Sequence, residues 1–410
     1  MSDESPPAER GRDEATGERT DGAGHERPTT ADETGETAVD RTTPDSDPSG
    51  QVSPVLGAEV DAFRVGEEPT TTADMEWCYR TVEGVSRTFA VTIDELTEPT
   101  ARRVCVGYLL CRVADTIEDA AAVPPETQHE LLRTYGRALD PDDSTRIWTF
   151  RDAVDPWLPP AVERSPHWAV VADAPRVVRS FRALDADARA AVLPHVTDLV
   201  DGMADFVDRY AEDGGLRIHT YEELEEYCDY AAGTVGRLVT DLVFPPEEVD
   251  DDLRADAQAF ALLLQLVNVA KDVAGDYREE NNVYLPADWL DAEGVAPDAV
   301  AAPESASAVA RVVDRVLDRA TDYLDGAQRW LTAMPLRAGN TAAAWAIPYL
   351  LAVATIRELR AHPENVVHEG DVTVDRAEVY TLIDRFDRGA TVEDLPAMRE
   401  QMSRAPLHHG

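Results

Sequence analysis

The sequence predicts an all-α fold, and three observations support this prediction. From about Asp74 onward, apolar residues recur at helical intervals, as Val104, Leu109 and Val113 do. The alternation of apolar and polar residues that is typical of strands is scarce, and no Asn-Gly or Asp-Gly turn lies between alternating apolar runs. Hydrophobic residues make up 43% of the chain, which is enough to form a sizeable core.

The beginning of the chain differs in composition from the rest. Residues 1 to about 70 are rich in Glu, Asp, Thr, Pro, Ser and Gly and poor in large apolar side chains. Such a segment cannot bury enough surface to offset the entropy that is lost on ordering. We therefore predict a disordered acidic tail over residues 1–70, followed by one helical domain over residues 71–410.

Helix breakers divide the predicted domain into its elements. The sequence TEPTAR ends one helix and begins the next, and the proline-rich residues 140–160 predict a loop with short helical turns. Residues 185–213 predict one long helix that contains Pro194. Residues 244–252, FPPEEVDDD, predict a turn between helices, because acidic residues favour the start of the helix that follows.

The charge of the chain is strongly acidic. It has 80 Asp and Glu against 38 Lys and Arg, a formal net charge of −42, and a single lysine, Lys271. Nucleic acid is excluded as a partner, because its binding requires a basic surface. The self-repulsion of such a surface is screened in strong salt, so we predict a protein of a salt-rich cytoplasm such as that of a haloarchaeon. The alternative is an ordinary acidic protein.

Cysteine usage and hydropathy indicate the cellular compartment. Cys78, Cys105, Cys111 and Cys228 form no CxxC pair, and no positively charged apolar leader opens the chain, so we expect reduced thiols in a cytoplasmic protein. The apolar run at residues 342–356 is shorter than the ~20 residues that span a bilayer. It predicts a buried helix, with peripheral membrane contact as the alternative.

A first acidic motif, RVADTIED, follows the apolar run VCVGYLLC. Asp115 and Asp119 are four residues apart and Glu118 is three from Asp115, which places all three carboxylates on one face of a helix. They repel one another unless a cation neutralises them, and Mg²⁺ binds one or two carboxylates together with phosphate oxygens. The alternative is a solvated helix end in an acidic chain.

A second acidic motif repeats this spacing. Asp272 and Asp276 follow another apolar run, and Gln265 and Asn268 interrupt that run on the same side. The four side chains predict a polar stripe along one largely buried helix, and buried amides and carboxylates require partners. Two such helices facing each other would hold about three Mg²⁺, with a diphosphate completing the coordination and nearby Arg and Lys meeting its charge.

Five blocks of the sequence lie in a recognisable order between about Cys78 and Tyr380. They are CYRTVEGVSRTFAVTIDEL, GYLLCRVADTIED, YCDYAAGTVGRLVTDL, LLQLVNVAKDVAGDYREENNVYLP and AIPYLLAVATI. Together they resemble the squalene and phytoene synthase family of head-to-head prenyl transferases, and the squalene synthase branch in particular. The resemblance implies a single isoprenoid-synthase-type helical bundle around a central cavity.

The resemblance also implies a reaction. Two farnesyl diphosphates would condense to presqualene diphosphate, which NADPH would reduce to squalene, with Mg²⁺ bound throughout. We expect the enzyme to act as a monomer on isoprenyl diphosphates. Tyr227 matches the essential tyrosine of the family and is the candidate for the proton transfer that closes the cyclopropane.

The resemblance implies roles for specific residues. The implied catalytic residues are Tyr227, Arg112 and Tyr108. The implied Mg²⁺ ligands are Asp115, Glu118, Asp119, Asp272 and Asp276. The implied substrate and diphosphate contacts are Ser86, Arg87, Thr88, Phe89, Gln265, Asn268, Lys271 and Arg278. The implied NADPH contacts are Arg80, Asn268 and Arg376. Lys271 stands where relatives usually carry arginine, and the alternative role for it is a surface lysine paired with a neighbouring acid.

Several positions depart from the squalene synthase pattern. Gly275 replaces an acid of the second motif, and the arginine expected soon after Asp276 is missing, with Arg278 nearby. Alanines replace the aromatic positions before AIP, next to Trp345, and the later basic cluster is replaced by GDVTVDRAEVY with only Arg376 retained. The changes at these last two places bear on the NADPH end of the site.

Three other functions remain alternatives. Phytoene or dehydrosqualene synthases run the first half-reaction without a hydride step; SRTF, DTIED and AIPYLLAVATI favour squalene synthase, whereas YLP and Gly275 favour this alternative. Head-to-tail prenyl transfer or terpene cyclisation also uses acidic helices and Mg²⁺, but the YCDYAAGTVG block argues against it. A non-enzymatic acidic cation-binding protein would require the polar stripe to be incidental.

Overall fold

The computed structural model describes residues 71–367 and 372–409 and confirms the all-α fold. Within these residues the only strand-type pairing is an isolated bridge between Arg217 and Val283. The predicted tail, residues 1–70, lies outside the described residues. The helices are α1 (Thr72–Val85), α2 (Arg87–Glu95), α3 (Thr100–Glu118), α4 (Pro125–Leu139), α5 (Ile147–Val154), α6 (Pro166–Ala172), α7 (Ala174–Arg182), α8 (Ala186–Arg209), α9 (Tyr221–Cys228), α10 (Thr234–Val243), α11 (Asp251–Lys271), α12 (Val273–Gly275), α13 (Ala287–Ala292), α14 (Ala306–Asp322), α15 (Leu324–Ala333), α16 (Ala342–Ala361), α17 (Arg376–Asp387) and α18 (Leu395–Arg404).

Several helix boundaries lie where the sequence predicts them. The TEPTAR segment separates α2 from α3, and α8 runs unbroken through Pro194. The start of α11 is capped by Asp250, whose side chain accepts a hydrogen bond from the Leu253 N–H. Asp251 lies in the first turn, where a negative charge is favoured by the helix dipole.

The segment 140–160 contains more helix than the sequence predicts. Its prolines lie outside α5, and Ile147, Phe150 and Val154 are all buried on one side of that helix. Burial of this apolar face stabilises a two-turn helix that local composition alone does not indicate. The four cysteines are free and buried, so none forms a disulfide in the described structure.

The centre of the fold is α11, which packs against α10, α14, α15 and α16. Its contact with α10 depends on Gly236, because a Cβ atom there would lie 2.8 Å from the Ala257 carbonyl oxygen. On the other side of the bundle, α3 packs against α1, α6, α7 and α8. These two layers leave a cavity between α3 and α11.

The apolar run at residues 342–356 lies in α16, as predicted. Among the described residues, α16 is the one single helix that is long and apolar enough to cross a membrane, and 72% of its apolar window is buried. Together with the short segment that follows it, α11 passes the same test as a bent pair. The burial of most of the apolar window of α16 is typical of a core helix.

The second acidic motif lies at a break in α11 and not on a continuous helix. The helix ends at Lys271, and the chain beyond Val273 turns by 63° relative to it. The motif then continues into a π-helical turn, Asp276–Glu280, which ends at Asn281 in the left-handed conformation. The Asp276 N–H still donates to the Asp272 carbonyl at 2.9 Å, so these two residues keep their one-turn relation across the bend.

Candidate active site

A cavity of about 410 Å³ lies between the helices that carry the predicted blocks. Its lining residues recur at three- and four-residue intervals, so each helix presents one face to it. They are Ser86, Thr88, Phe89 and Thr92 at α2; Tyr108, Cys111, Arg112 and Asp115 on α3; Ala231, Ala232, Val235, Gly236 and Val239 at α10; Phe260, Ala261, Leu264, Gln265, Val267, Asn268 and Lys271 on α11; Trp330 on α15; and Trp345, Pro348, Leu351, Ala352 and Thr355 on α16.

The first acidic motif lies at the carboxyl end of α3. Glu118 is the last residue of the helix, and Asp119 caps it, with its N–H donating to the Asp115 carbonyl at 2.9 Å. Burial raises the pKa of Asp115, although the Arg112 guanidinium 3.4 Å away opposes this shift. Arg112 also donates to the Tyr108 hydroxyl at 2.8 Å, and its buried Nε has no partner among the described residues.

Carboxylates of the two motifs act on one another. Burial, together with the charges of Glu280 and Asp115, raises the pKa of Asp119 well above its ordinary value. Burial, together with the charges of Asp272 and Asp119, raises the pKa of Asp276 to about 8. Carboxylates of the two acidic segments therefore lie close together. Of the predicted metal ligands only Asp115 lines the cavity, with Arg112 and Lys271, and we call this end of the cavity the mouth.

Sequence reasoning missed Glu280 as a member of this cluster. The π-helical turn carries Glu280 towards the first motif, where burial and the charges of Asp276 and Glu118 raise its pKa to about 8. Glu280 thus supplies a carboxylate that the motif lacks at Gly275, whose Cα faces open space. Its position four residues after Asp276 was the signal that could have identified it.

Tyr227 lies behind the acidic cluster in a buried hydrogen-bond network. Its hydroxyl donates to Glu118 Oε2 at 3.1 Å and lies 3.2 Å from the Tyr284 hydroxyl, to which the Asn282 amide also donates at 3.1 Å. Burial and the nearby Glu118 charge raise the pKa of Tyr227 well above its ordinary value, so the phenol is protonated. The other carboxylate oxygen of Glu118, Oε1, is buried with no partner among the described residues.

Only part of the predicted polar stripe faces the cavity. Gln265 and Asn268 line it, whereas Asp272 and Asp276, at and beyond the break in α11, do not; Lys271 also lines it. Lys271 Nζ lies 2.6 and 2.7 Å from the two carboxylate oxygens of Asp272. The lysine therefore pairs with a neighbouring acid and also reaches the cavity.

Only some residues of the first sequence block, CYRTVEGVSRTFAVTIDEL, line the cavity. Ser86, Thr88 and Phe89 line it, and the Phe89 ring stacks on Tyr108 with centroids 4.0 Å apart. Ser86 also has a local role, because its side chain caps α2 by accepting from the Phe89 N–H. Arg87 is exposed and is not part of the lining.

Three predicted arginines also lie away from the cavity lining, as do Tyr227, Glu118, Asp119, Asp272 and Asp276. Arg278 donates to the carbonyl oxygens of Ala301 and Val367 at 3.2 and 3.1 Å. Arg80 and Arg376 are exposed on α1 and at the start of α17. Of the residues predicted to contact NADPH, only Asn268 lines the cavity.

The donor set of the mouth suits a hard divalent cation. Among residues 71–367 and 372–409, no three His, Cys, Asp or Glu side chains are arranged so that they could hold a metal ion by themselves. The buried carboxylates nevertheless repel one another, and Glu118 Oε1 is unpaired. Oxygen ligands of this kind fit Mg²⁺, which binds one or two carboxylates and takes its remaining ligands from water and phosphate.

The chain is similar in sequence to squalene synthases. The squalene synthase of Schizosaccharomyces pombe is 24% identical over 324 residues, covering 78% of this chain and 66% of that enzyme. The squalene synthase of Bos taurus is also 24% identical, covering 77% of this chain and 70% of that enzyme. The chain thus spans about two thirds of the length of these relatives.

Solved structures share the fold. A TcSQS–ligand complex matches with a TM-score of 0.64 at 21% identity, covering 82% of this chain and 99% of that chain. A dehydrosqualene synthase in complex with a ligand matches with a TM-score of 0.53 at 18% identity, covering 77% of this chain and 96% of that chain. The family model for squalene/phytoene synthase matches residues 82–378. The chain therefore belongs to the squalene/phytoene synthase family.

Proposed function

We propose that this protein condenses two farnesyl diphosphates head to head into presqualene diphosphate and reduces that intermediate with NADPH to squalene. The observation that carries the proposal is the pair of acidic segments whose carboxylates lie close together beside the mouth of a largely apolar cavity. The squalene synthases among its relatives supply the product, and the family resemblance implies the substrate.

The carboxylates of the mouth would hold Mg²⁺ in this proposal. The ligands would be Asp115, Asp119, Asp272 and Asp276, with Glu118 and Glu280 adding charge nearby. Bound Mg²⁺ would neutralise the cluster and draw negative charge from the leaving diphosphate. This proposal is supported by the raised pKa values of Asp115, Asp119 and Asp276, because the burial that raises them also makes a cation favourable there.

Cationic side chains at the mouth would bind and orient the diphosphates. Arg112 suits this role, because its unpaired Nε and planar guanidinium can donate to phosphate oxygens in a two-pronged manner. Lys271 would act as a point charge beside it. Arg87, which is exposed next to Ser86, would contact phosphate only from outside the lining.

Tyr227 would pass on the proton that is lost when the cyclopropane closes. Because this phenol is protonated, it would accept the substrate proton only as it donates its own. The departed diphosphate would be the final acceptor. The Tyr284 hydroxyl and Glu118 hold the Tyr227 hydroxyl in position, which supports an orienting role for both.

The hydride step has less support than the condensation. Asn268 lines the cavity, but Arg80 and Arg376 are exposed outside it. This favours one second candidate function, a phytoene or dehydrosqualene synthase that ends without reduction. In either function we propose a monomer in a salt-rich cytoplasm, with peripheral membrane contact for release of an apolar product.

The test is incubation of the purified protein with farnesyl diphosphate in strong salt, with and without Mg²⁺ and NADPH. We expect presqualene diphosphate with Mg²⁺ alone and squalene when NADPH is added. A thirty-carbon polyene without NADPH would replace the proposal with the second candidate. If wild type forms no thirty-carbon product, so that it and the Asp115→Asn control behave alike, both candidate functions are refuted.

A further inference from the structure

An exposed run of apolar residues follows α5. Residues 156–162 read PWLPPAV, and each of these seven uncharged residues is exposed or half-buried. Val162 is 94% exposed, more than any other large apolar side chain that the structure describes. A run of this length is unfavourable in contact with water, so it indicates a surface that another apolar phase covers. We call residues 156–162 the apolar loop.

Hydrogen bonds give the apolar loop a defined conformation. The Glu163 N–H donates to the Pro160 carbonyl at 2.8 Å. The Arg164 guanidinium donates to the Pro159 carbonyl through Nε at 3.3 Å and through Nη2 at 3.2 Å. At the start of the loop, the Trp157 ring packs against the core. The loop is therefore anchored at both ends and presents its tip to the solvent.

The charge around the apolar loop differs from that of the whole chain. Residues 146–182, from the start of α5 to the end of α7, contain six arginines and four acidic residues, whereas the chain has 80 acidic residues against 38 Lys and Arg. Two of these arginines, Arg176 and Arg179, pair with Asp74 at 2.6 and 3.2 Å. The segment is thus close to neutral, so it lacks the excess of negative charge that would repel an anionic surface.

Tryptophans cluster around the apolar loop. Three of the seven tryptophans of the chain, Trp148, Trp157 and Trp168, lie within 21 residues. Trp148 is 52% exposed, and the other two are half-buried. Tryptophan is enriched at the boundary between lipid and water, because its ring is apolar and its N–H is polar. A stable protein interface uses about 20–30 residues a side, which is more than this loop offers, so lipid is the partner that the loop fits best.

The apolar loop adjoins the mouth of the cavity. Pro166 begins α6 directly after the loop, and a Cβ atom on Gly84 would lie 3.1 Å from the Pro166 Cβ. Gly84 is two residues before Ser86, which lines the cavity. The next residue of α6, His167, has a pKa that is lowered by burial and by the nearby charge of Arg112 at the mouth. A surface that covers the loop would therefore lie beside the cavity.

We propose that the apolar loop inserts into the surface of a lipid bilayer and holds the mouth of the cavity beside it. The inference rests on the proposed function and deepens it, because a thirty-carbon hydrocarbon product leaves a cavity more favourably into lipid than into water. It places the membrane contact at the loop and not at α16, whose apolar window is mostly buried.

The test is sedimentation of the full chain with vesicles of phosphatidylcholine and phosphatidylglycerol in equal parts, in strong salt. We expect wild type to bind and Val162→Asp to bind at least about tenfold more weakly, because a carboxylate is costly to transfer into lipid. Leu336→Asp is the matched control, because Leu336 is 58% exposed, lies between α15 and α16 and gains the same charge. It should bind as wild type does.

A gain of signal tests the depth of the contact. Vesicles with brominated acyl chains quench the fluorescence of tryptophans that enter the lipid. Val162→Trp should therefore add a tryptophan signal that these vesicles quench, whereas Leu336→Trp should add one that they leave unquenched. Equal quenching of the two added tryptophans would overturn the insertion of the loop.

The outcomes separate the inference from the proposed function. If wild type does not bind vesicles, or if both Asp variants bind equally, the role of the loop is overturned, while squalene formation in detergent leaves the proposed function standing. Vesicle binding that only Val162→Asp loses, without any thirty-carbon product, would confirm the lipid contact and overturn the proposed function. Self-association of wild type without lipid that Val162→Asp abolishes would assign the loop to a contact between two copies and overturn the lipid assignment.

Discussion

The mouth of the cavity and its aromatic floor, by which we mean the lining residues Phe260, Trp330 and Trp345, satisfy their polar groups to opposite degrees. At the mouth, Glu118 Oε1 and Arg112 Nε are buried without a partner in the described structure, and carboxylates repel one another. At the floor, both indole N–H groups are bonded and the rings pack together. A buried polar atom without a partner costs about 1–3 kcal/mol, so the mouth is arranged for a ligand and the floor for shape and stability.

The largest expected effect on activity is at the mouth. Tyr227→Phe removes the hydroxyl that we propose transfers a proton, and we expect the rate of presqualene diphosphate formation to fall roughly 10²- to 10⁴-fold. The measurement is product formation from farnesyl diphosphate under saturating conditions. The unfolding free energy should fall by about 1–3 kcal/mol, because the buried Glu118 Oε2 loses the hydroxyl that donates to it.

Tyr135→Phe is the matched control for that variant. Tyr135 is equally buried, and its hydroxyl donates to the Leu110 carbonyl at 3.0 Å, outside the cavity lining. We expect this variant to lose stability but to keep its activity. Equal activity of Tyr227→Phe and wild type would remove Tyr227 from the mechanism.

The largest expected effect on stability is at the floor. Trp330→Ala leaves a cavity beneath Phe260 and removes the hydrogen bond that Thr240 Oγ1 accepts, so we expect a loss of about 3–5 kcal/mol in unfolding free energy. Urea unfolding in strong salt measures it. Trp148→Ala at an exposed site should change the value by less than about 0.5 kcal/mol. A similar small change for both variants would show that the floor does not stabilise the fold.

The helical spacing of residues in the sequence predicted which side chains of α11 and α3 share a face at the mouth. Gln265, Asn268 and Lys271 face the cavity together because α11 is regular up to Lys271, and helical spacing then fixes which residues share a face. Likewise, Asp115 and Arg112 lie on an unbroken stretch of α3.

Other features of the site depend on contacts between segments that are distant in the sequence, and helical spacing does not predict them. The segment KDVAG has no proline that would mark the bend after Lys271, and the π-helical turn that brings Glu280 to the first motif depends on the surrounding structure. Trp330 belongs to none of the motifs, and its place at the floor follows from the packing of α15 on α11. Tertiary contacts of this kind leave no periodic signal in the sequence.

The third prediction concerns the protonation of Asp276 at the mouth. The pKa of Asp276 is raised from 3.8 to about 8 by burial and by Asp272, so the folded state binds this proton more tightly than the unfolded state does. The associated stability is complete below pH 3.8 and is lost as the pH rises through about 8. Without divalent ions, we expect wild type to lose on the order of 2 kcal/mol relative to Asp276→Asn between pH 5 and 8.

Urea unfolding at constant strong salt measures this difference, and added Mg²⁺ should restore wild-type stability at pH 8 but help Asp276→Asn less. The exposed Asp291→Asn should follow wild type at every pH. Parallel pH profiles for wild type and Asp276→Asn would mean that the carboxylates of the mouth do not oppose folding.

The smallest expected effect concerns Lys271, whose ammonium and the Asp272 carboxylate are 32% and 45% exposed. A pair this exposed contributes no more than about 1 kcal/mol, so Lys271→Met should leave the unfolding free energy nearly unchanged. If the lysine faces a diphosphate, the same variant should bind farnesyl thiodiphosphate roughly tenfold more weakly, because a charge-assisted hydrogen bond is lost. Lys271→Arg keeps the charge and should bind as wild type does. The opposite result, a stability loss with unchanged affinity, would make Lys271 an ion-pair partner at the end of α11 and leave Arg112 as the cation of the mouth.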